Sequence, residues 1–129
     1  EKEARLVTIQ ILSGLRHMNS KEQKVIHYDL KPGNVMYNRG EVKITDFGLS
    51  KVTNGPDQQT VELTSQGAGT YWYLPPECFE VPAPKISNKV DVWAVGVIFF
   101  EMLFQRKPFG HGVSQDSILQ RRLIQSCGE

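Results

Sequence analysis

The chain has 129 residues, enough for one hydrophobic core, and its 40% hydrophobic and 22% charged content is ordinary for a globular protein and argues against general disorder. A formal net charge of +1 gives no electrostatic reason to expect nucleic-acid binding. Two cysteines, Cys78 and Cys127, form neither a metal-ligand spacing nor a disulfide framework, which fits a reducing intracellular compartment.

In residues 1–19 the apolar positions Ala4, Val7, Ile11, Leu15 and Met18, joined by Leu12, recur at three- and four-residue spacing, which predicts a helix burying one stripe. Asn19-Ser20 favours a turn that ends it, and residues 21–24 read as a solvated charged link. The chain opens inside this helix, so it reads as a piece of a larger domain. Val35-Met36-Tyr37 and Val42-Lys43-Ile44 predict two short strands joined through residues 38–41. Pairing Tyr37 with Val42 sets Val35 opposite Ile44 and Asn34 opposite Thr45. With strands about 4.8 Å apart, that register brings Asn34 and Asp46 to one mouth, where two oxygens can share a magnesium ion.

Residues 49–69 are polar with little periodicity, and a structureless stretch of that length is functional or disordered. Residues 70–77 hold three aromatics and two prolines, too stiff for a linker, and residues 81–84 read as an irregular loop. Ser87 is placed to cap a helix running to about Phe104, apolar on nearly every face and so the buried centre of the domain. Its apolar core, Val92 to Phe100, is closed by Asp91 and Glu101 and is too short to span a bilayer. Residues 107–110 break the chain, and residues 117–125 predict the start of a further amphipathic helix. The expected class is mainly α with a short β-hairpin, in a single domain over residues 1–129.

The chemistry concentrates in His27-Tyr28-Asp29-Leu30-Lys31-Pro32-Gly33-Asn34 and in Asp46-Phe47-Gly48 downstream. Asp29 is the candidate base, Lys31 the group that offsets phosphate charge, and Asn34 and Asp46 the metal ligands. A lone Asp in a loop is most often a turn former; the ordered company of Lys31, Asn34 and Asp46 overturns that reading. Asp91, in the first turn of the central helix, also suits the helix dipole.

These motifs, with Lys43–Lys51, Leu63–Phe79, Pro84–Trp93 and Arg106–His111, resemble the protein kinases and, more narrowly, the Tousled-like kinases. The resemblance covers essentially the whole chain. It implies a kinase-like C-terminal lobe, truncated at both ends, with ATP and Mg2+ as cofactors. It implies catalytic roles for Asp29, Lys31 and Thr70, nucleotide contacts from Lys31, Asn34 and Asp46, and structural support from His27, Phe47, Gly48, Glu77 and Asp91. Residues 69–77 resemble the seat for the residue after the phosphoacceptor, with Pro75 where alanine is usual. Tyr28 stands where the pattern has arginine, so a phosphate on Thr60, Thr64 or Ser65 has no fixed charge at that position to order the loop.

The resemblance further implies a nuclear serine/threonine kinase acting on histone chaperones in chromatin assembly and chromosome segregation, which self-associates through upstream coiled coils. A glycine-rich phosphate loop does not occur in the 129 residues, so they are expected to be inactive alone. The alternatives are a pseudokinase or scaffold, which Tyr28 favours and the retained Asp29, Asn34 and Asp46 oppose, and a small-molecule kinase, which needs no peptide platform. No membrane or direct nucleic-acid partner is expected.

Overall fold

The computed structural model describes residues 1–126 except Lys21, Gln23, Asn54, Pro56 and Asp57. Parts of the expected charged link and polar stretch, and Cys127, lie outside the described residues. In chain order the elements are helix α1 (Lys2–Met18), strands β1 (Val25–Ile26), β2 (Val35–Asn38), β3 (Glu41–Ile44), β4 (Lys51–Val52), β5 (Val61–Glu62) and β6 (Lys85–Ile86), then helices α2 (Lys89–Phe104) and α3 (Gln115–Gln120). Short 3₁₀ turns occupy Pro32–Asn34, Tyr71–Tyr73 and Pro76–Phe79. None of the described helices is long and apolar enough to cross a membrane.

The first helix forms where its periodicity puts it. Ala4, Ile11 and Leu15 are buried, and Val7 and Met18 pack beside them. Leu12 does not join that stripe; it is 41% exposed, being a single position from Ile11 and so rotated about 100° around the axis. Asn19 closes the helix by donating its Nδ2 to the carbonyl of Leu15 at 2.8 Å.

Strands β2 and β3 pair antiparallel with Val35 opposite Ile44 and Tyr37 opposite Val42, the expected register. Arg39 and Gly40 both have positive φ, 50° and 84°, the geometry of a type I′ turn that matches strand twist. Gln10 ties the hairpin to α1, donating to the Gly40 carbonyl at 2.9 Å and accepting from the Val42 amide at 3.1 Å.

Two further ladders lie where irregular chain is expected. Antiparallel pairing joins β1 to β4 and β5 to β6. Each strand has two residues, too few for any hydrophobic alternation to register. They position the segments around the catalytic-type loop.

Two apolar clusters support that loop from different elements. One joins Ile11, Leu15, Leu30 and Tyr73 to Ala94, Val95, Val97 and Ile98. The other joins Ile26, Tyr28, Leu63 and Leu74 to Cys78, Ile86 and Val90. Helix α2 supplies both, so it is the central element, although Val92 and Phe104 reach solvent. It starts at Lys89 with Asn88 as its cap residue, and the bond to a free amide comes from Ser87, whose Oγ accepts from Lys89 N at 3.3 Å. Helix α3 begins two residues earlier than expected and ends at Gln120 in place of Gln125. Ser114 caps it by accepting from Ser117 N at 3.2 Å, so Ser117 lies inside the first turn.

Candidate active site

Asp29, Lys31 and Thr70 form a closed set of contacts. The Thr70 hydroxyl donates to Asp29 Oδ1 at 3.0 Å, Lys31 Nζ donates to Thr70 Oγ1 at 3.0 Å, and Lys31 Nζ lies 3.5 Å from Asp29 Oδ2. The two charged side chains are 14% and 33% exposed, so each is partly desolvated while one edge faces solvent. Asn34 is buried and donates its Nδ2 to the Asp29 carbonyl at 2.8 Å and, at a long 3.4 Å, to Asp29 Oδ2. That orientation leaves its Oδ1 as the free end of the amide.

Three devices hold Asp29 in place. Asp91 is 1% exposed and accepts two backbone bonds, His27 N to Oδ2 at 2.8 Å and Tyr28 N to Oδ1 at 2.9 Å. Burial raises its pKa above the ordinary carboxylate value, and these same two amides pull it back. The bonds hold Tyr28 at φ 68°, a left-handed conformation that costs a non-glycine residue about 1–2 kcal/mol. Next comes His27, with no exposed surface. Its Nδ1 accepts from Asp29 N at 3.3 Å, so its Nε2 carries the proton and donates to the Thr45 carbonyl at 2.9 Å. The third is the hairpin, which continues beyond β2 and β3 through Thr45 N donating to the Asn34 carbonyl at 2.9 Å.

Asp46 therefore follows directly on a residue fastened to both His27 and Asn34. It has φ 59° and accepts from Gly48 N on Oδ1 at 3.2 Å. Phe47 sets its ring edge against His27, centroids 4.9 Å apart. Asn34 and Asp46 together offer an amide oxygen and a carboxylate. This hard-oxygen pair suits a magnesium ion, which fills its remaining positions with water and phosphate oxygens. Among the described residues no group of three His, Cys, Asp or Glu could hold a metal.

The remaining predicted residues lie around this centre. Glu77 is half-buried in the turn Pro76–Phe79 and takes no part in the ion pairs among the described residues. Of the candidate phosphosites, Thr60 is half-buried, Thr64 is exposed, and the Ser65 hydroxyl is buried with no hydrogen-bond partner.

Tyr28 is an apolar support. It is 2% exposed, packed in the second cluster, with its hydroxyl beside the Cys78 thiol but too loosely placed for a formed hydrogen bond. Burial pushes the Cys78 thiol up to about 12, so it is no nucleophile near neutral pH.

Tyr73 belongs to the first apolar cluster, and Trp72 and Trp93 both pack against that cluster. Tyr71 stands edge-on to Phe79, Trp72 donates to the Gly110 carbonyl at 2.8 Å, and Tyr73 donates to Glu101 Oε2 at 2.6 Å. Trp93 stacks on Phe109. Sequence reasoning missed Thr45, Glu101, Gly110 and Gln115, the last of which accepts from Tyr71 N at 2.8 Å. Thr45 and Gly110 act through backbone carbonyls, which carry no residue-type signal.

Residues 1–127 match the protein kinase domain family. The Arabidopsis thaliana serine/threonine-protein kinase TOUSLED is 60% identical over 127 residues, 96% of this chain and 18% of that protein. Human serine/threonine-protein kinase tousled-like 2 is 56% identical over 138 residues, the whole of this chain and 18% of that protein. Caenorhabditis elegans tousled-like 1 is 50% identical over 136 residues, the whole of this chain and 14% of that protein. The chain thus spans less than a fifth of the length of these relatives.

Proposed function

We propose, from the premise that this chain belongs to the protein kinase family and to its Tousled-like branch, that the full-length protein transfers the γ-phosphate of ATP to serine or threonine hydroxyls of proteins. Residues 1–129 supply the C-terminal-lobe half of that site. Asp29 orients the acceptor hydroxyl and receives its proton. Lys31, held between Asp29 and Thr70, offsets charge on the transferring group, and Thr70 keeps the lysine and the aspartate in register. Asn34 Oδ1 and the Asp46 carboxylate would hold magnesium, which when bound neutralises phosphate charge.

The observation that carries this reading is the set Asp29–Thr70–Lys31 with Asn34 donating to Asp29. A binding-only scaffold has no use for a lysine and a hydroxyl converging on one carboxylate. Tyr28 in the arginine position is the one feature that favours a scaffold, and its burial accounts for it as packing. Nuclear placement, histone-chaperone substrates, chromatin assembly and chromosome segregation, and self-association through coiled coils follow from the family resemblance.

The test is phosphotransfer by the full-length protein to protein, peptide and small-molecule acceptors. The expected result is transfer to Ser/Thr of proteins, with Asp29→Asn and Asp46→Ala each lowering kcat by roughly 10²–10⁴ at unchanged thermal melting. Full activity in Asp29→Asn, or transfer to small molecules only, overturns it.

A further inference from the structure

The turn Tyr71–Tyr73 hangs between two supports. At its start Thr70 is fixed by Asp29 and Lys31 in the site above. Each of the three residues that follow is held by a separate contact from residues 101–115. Tyr71 N donates to Gln115 Oε1 at 2.8 Å, Trp72 Nε1 donates to the Gly110 carbonyl at 2.8 Å, and the Tyr73 hydroxyl donates to Glu101 Oε2 at 2.6 Å. Within the turn itself, Tyr73 N bonds the Thr70 carbonyl and Leu74 N the Tyr71 carbonyl, at 3.0 and 3.2 Å. So short a 3₁₀ turn has poor hydrogen-bond geometry of its own and depends on its surroundings.

Lys107 joins two of these outer contacts. Its ammonium lies 3.4 Å from Glu101 Oε1, the oxygen that Tyr73 leaves free, and 5.4 Å from the Trp72 ring centroid. Its backbone is fixed in turn, since Lys107 N donates to His111 Nδ1 at 3.1 Å. The lysine and glutamate side chains are each 26% exposed, so water screens the pair only in part. Burial, and then Glu101, raise the Tyr73 pKa, which keeps the phenol a donor to the carboxylate.

We propose that Lys107 and Gln115 are positioning residues for the protein acceptor, holding the turn 71–73 where it grips the residue after the phosphoacceptor. They act through different bonds, Lys107 through Glu101 and the Trp72 ring, Gln115 through Tyr71 N. Thr70 keeps its own bonds to Asp29 and Lys31, so loosening the turn displaces the seat more than the catalytic set. The effect therefore falls on acceptor binding and spares ATP binding and transfer. This role rests on the kinase reading above and on residues 69–77 seating the acceptor.

The test uses the full-length protein and two readouts. Hydrogen exchange followed by mass spectrometry measures the amides of residues 71–74 without nucleotide or acceptor. Steady-state transfer is measured with a peptide that the wild-type protein phosphorylates, used whole and cut back to end at its acceptor serine or threonine.

In Lys107→Met and in Gln115→Ala those amides are expected to exchange about threefold to fivefold faster, with the amides of α1 unchanged. KM for the whole peptide rises by the same factor, the effect of a partly exposed charge pair or of one hydrogen bond. Neither kcat nor KM for ATP moves, and the cut-back peptide shows no rise. Lys107→Arg restores both readouts, and Lys43→Met, in the exposed pair with Glu41, changes neither. Lower kcat at unchanged KM for the peptide, an equal rise with the cut-back peptide, or wild-type exchange in both variants overturns the proposal. Faster exchange in a protein that phosphorylates no peptide overturns the role toward an acceptor while the hold on the turn stands, and so marks the failure as that of the kinase reading.

Discussion

Tyr28 combines two properties that rarely meet, a left-handed backbone and near-complete burial. The backbone is over-determined by Asp91, and the ring fills space between Leu74, Cys78 and Ile26 in the second cluster. Its hydroxyl has no hydrogen-bond partner, so the ring rather than the oxygen contributes the stability. Tyr28→Phe is therefore expected to melt at nearly the wild-type temperature and keep full phosphotransfer. Tyr28→Arg places a guanidinium in an apolar site with nothing to pair it and is expected to lower the melting temperature, at a cost of about 3 kcal/mol. It is also expected to make activity newly dependent on a phosphate in the 60–65 segment. Melting curves and transfer rates with and without phosphatase decide the matter. Loss of activity in Tyr28→Phe together with unchanged phosphate dependence in Tyr28→Arg refutes this account of the position.

At the scale of elements, the joint between α2 and α3 is set by Gly110. Its φ is +58°, and a Cβ there would stand 2.7 Å from Cγ1 of Ile118, which has no exposed surface and no room to move. Its carbonyl also receives the Trp72 indole N–H, so the joint and the 70–77 segment share one anchor. Gly110→Ala in the full-length protein is expected to cost about 2–4 kcal/mol from left-handed strain plus overpacking, read as a fall in melting temperature, and to raise KM for peptide more than it lowers kcat. An unchanged melting temperature would show that the α2–α3 joint yields freely. Elements were legible in the sequence where a repeat ran long enough to register. Helix α1, α2 and the β2–β3 register follow from apolar spacing and a turn signal, and beyond that register Thr45 N donates to the Asn34 carbonyl, as the expected pairing of the two residues requires. The ladders β1–β4 and β5–β6 were not legible, because two residues have no period. The start of α3 was misplaced because Ser114 and Ser117 are both cap formers, and only the bond from Ser117 N selects the first. Asp91 stands 64 residues from His27, and nothing in composition or periodicity links them; the family resemblance singled it out.

Across the whole molecule, apolar surface is distributed unevenly. On α1, Leu6 and Ile9 are 54% and 60% exposed on one face, and on the hairpin Met36 and Tyr37 are 59% and 61% exposed. Two adjoining clefts share Val7, Tyr37, Met102 and Gln105 where α1, β2 and the end of α2 meet. Exposed apolar area of this kind drives association at roughly 25 cal/mol per Å² buried, and a net charge of +1 supplies little repulsion to oppose it. Residues 1–129 produced alone are therefore expected to bind a hydrophobic dye and to elute from size exclusion as oligomers whose size grows with concentration. Leu6→Lys with Ile9→Lys should reduce both signals, because it replaces the apolar face with like charges while leaving the buried stripe of Ala4, Ile11 and Leu15 untouched. The same preparation is expected to phosphorylate no peptide, since it has the contacts among Asp29, Lys31 and Thr70 but no glycine-rich loop occurs in these residues to grip the nucleotide phosphates. Peptide phosphorylation by a purified monomer of residues 1–129, abolished by Asp29→Asn, would show that the residues gathered around Asp29 are sufficient for transfer and would overturn the division of labour argued for the site.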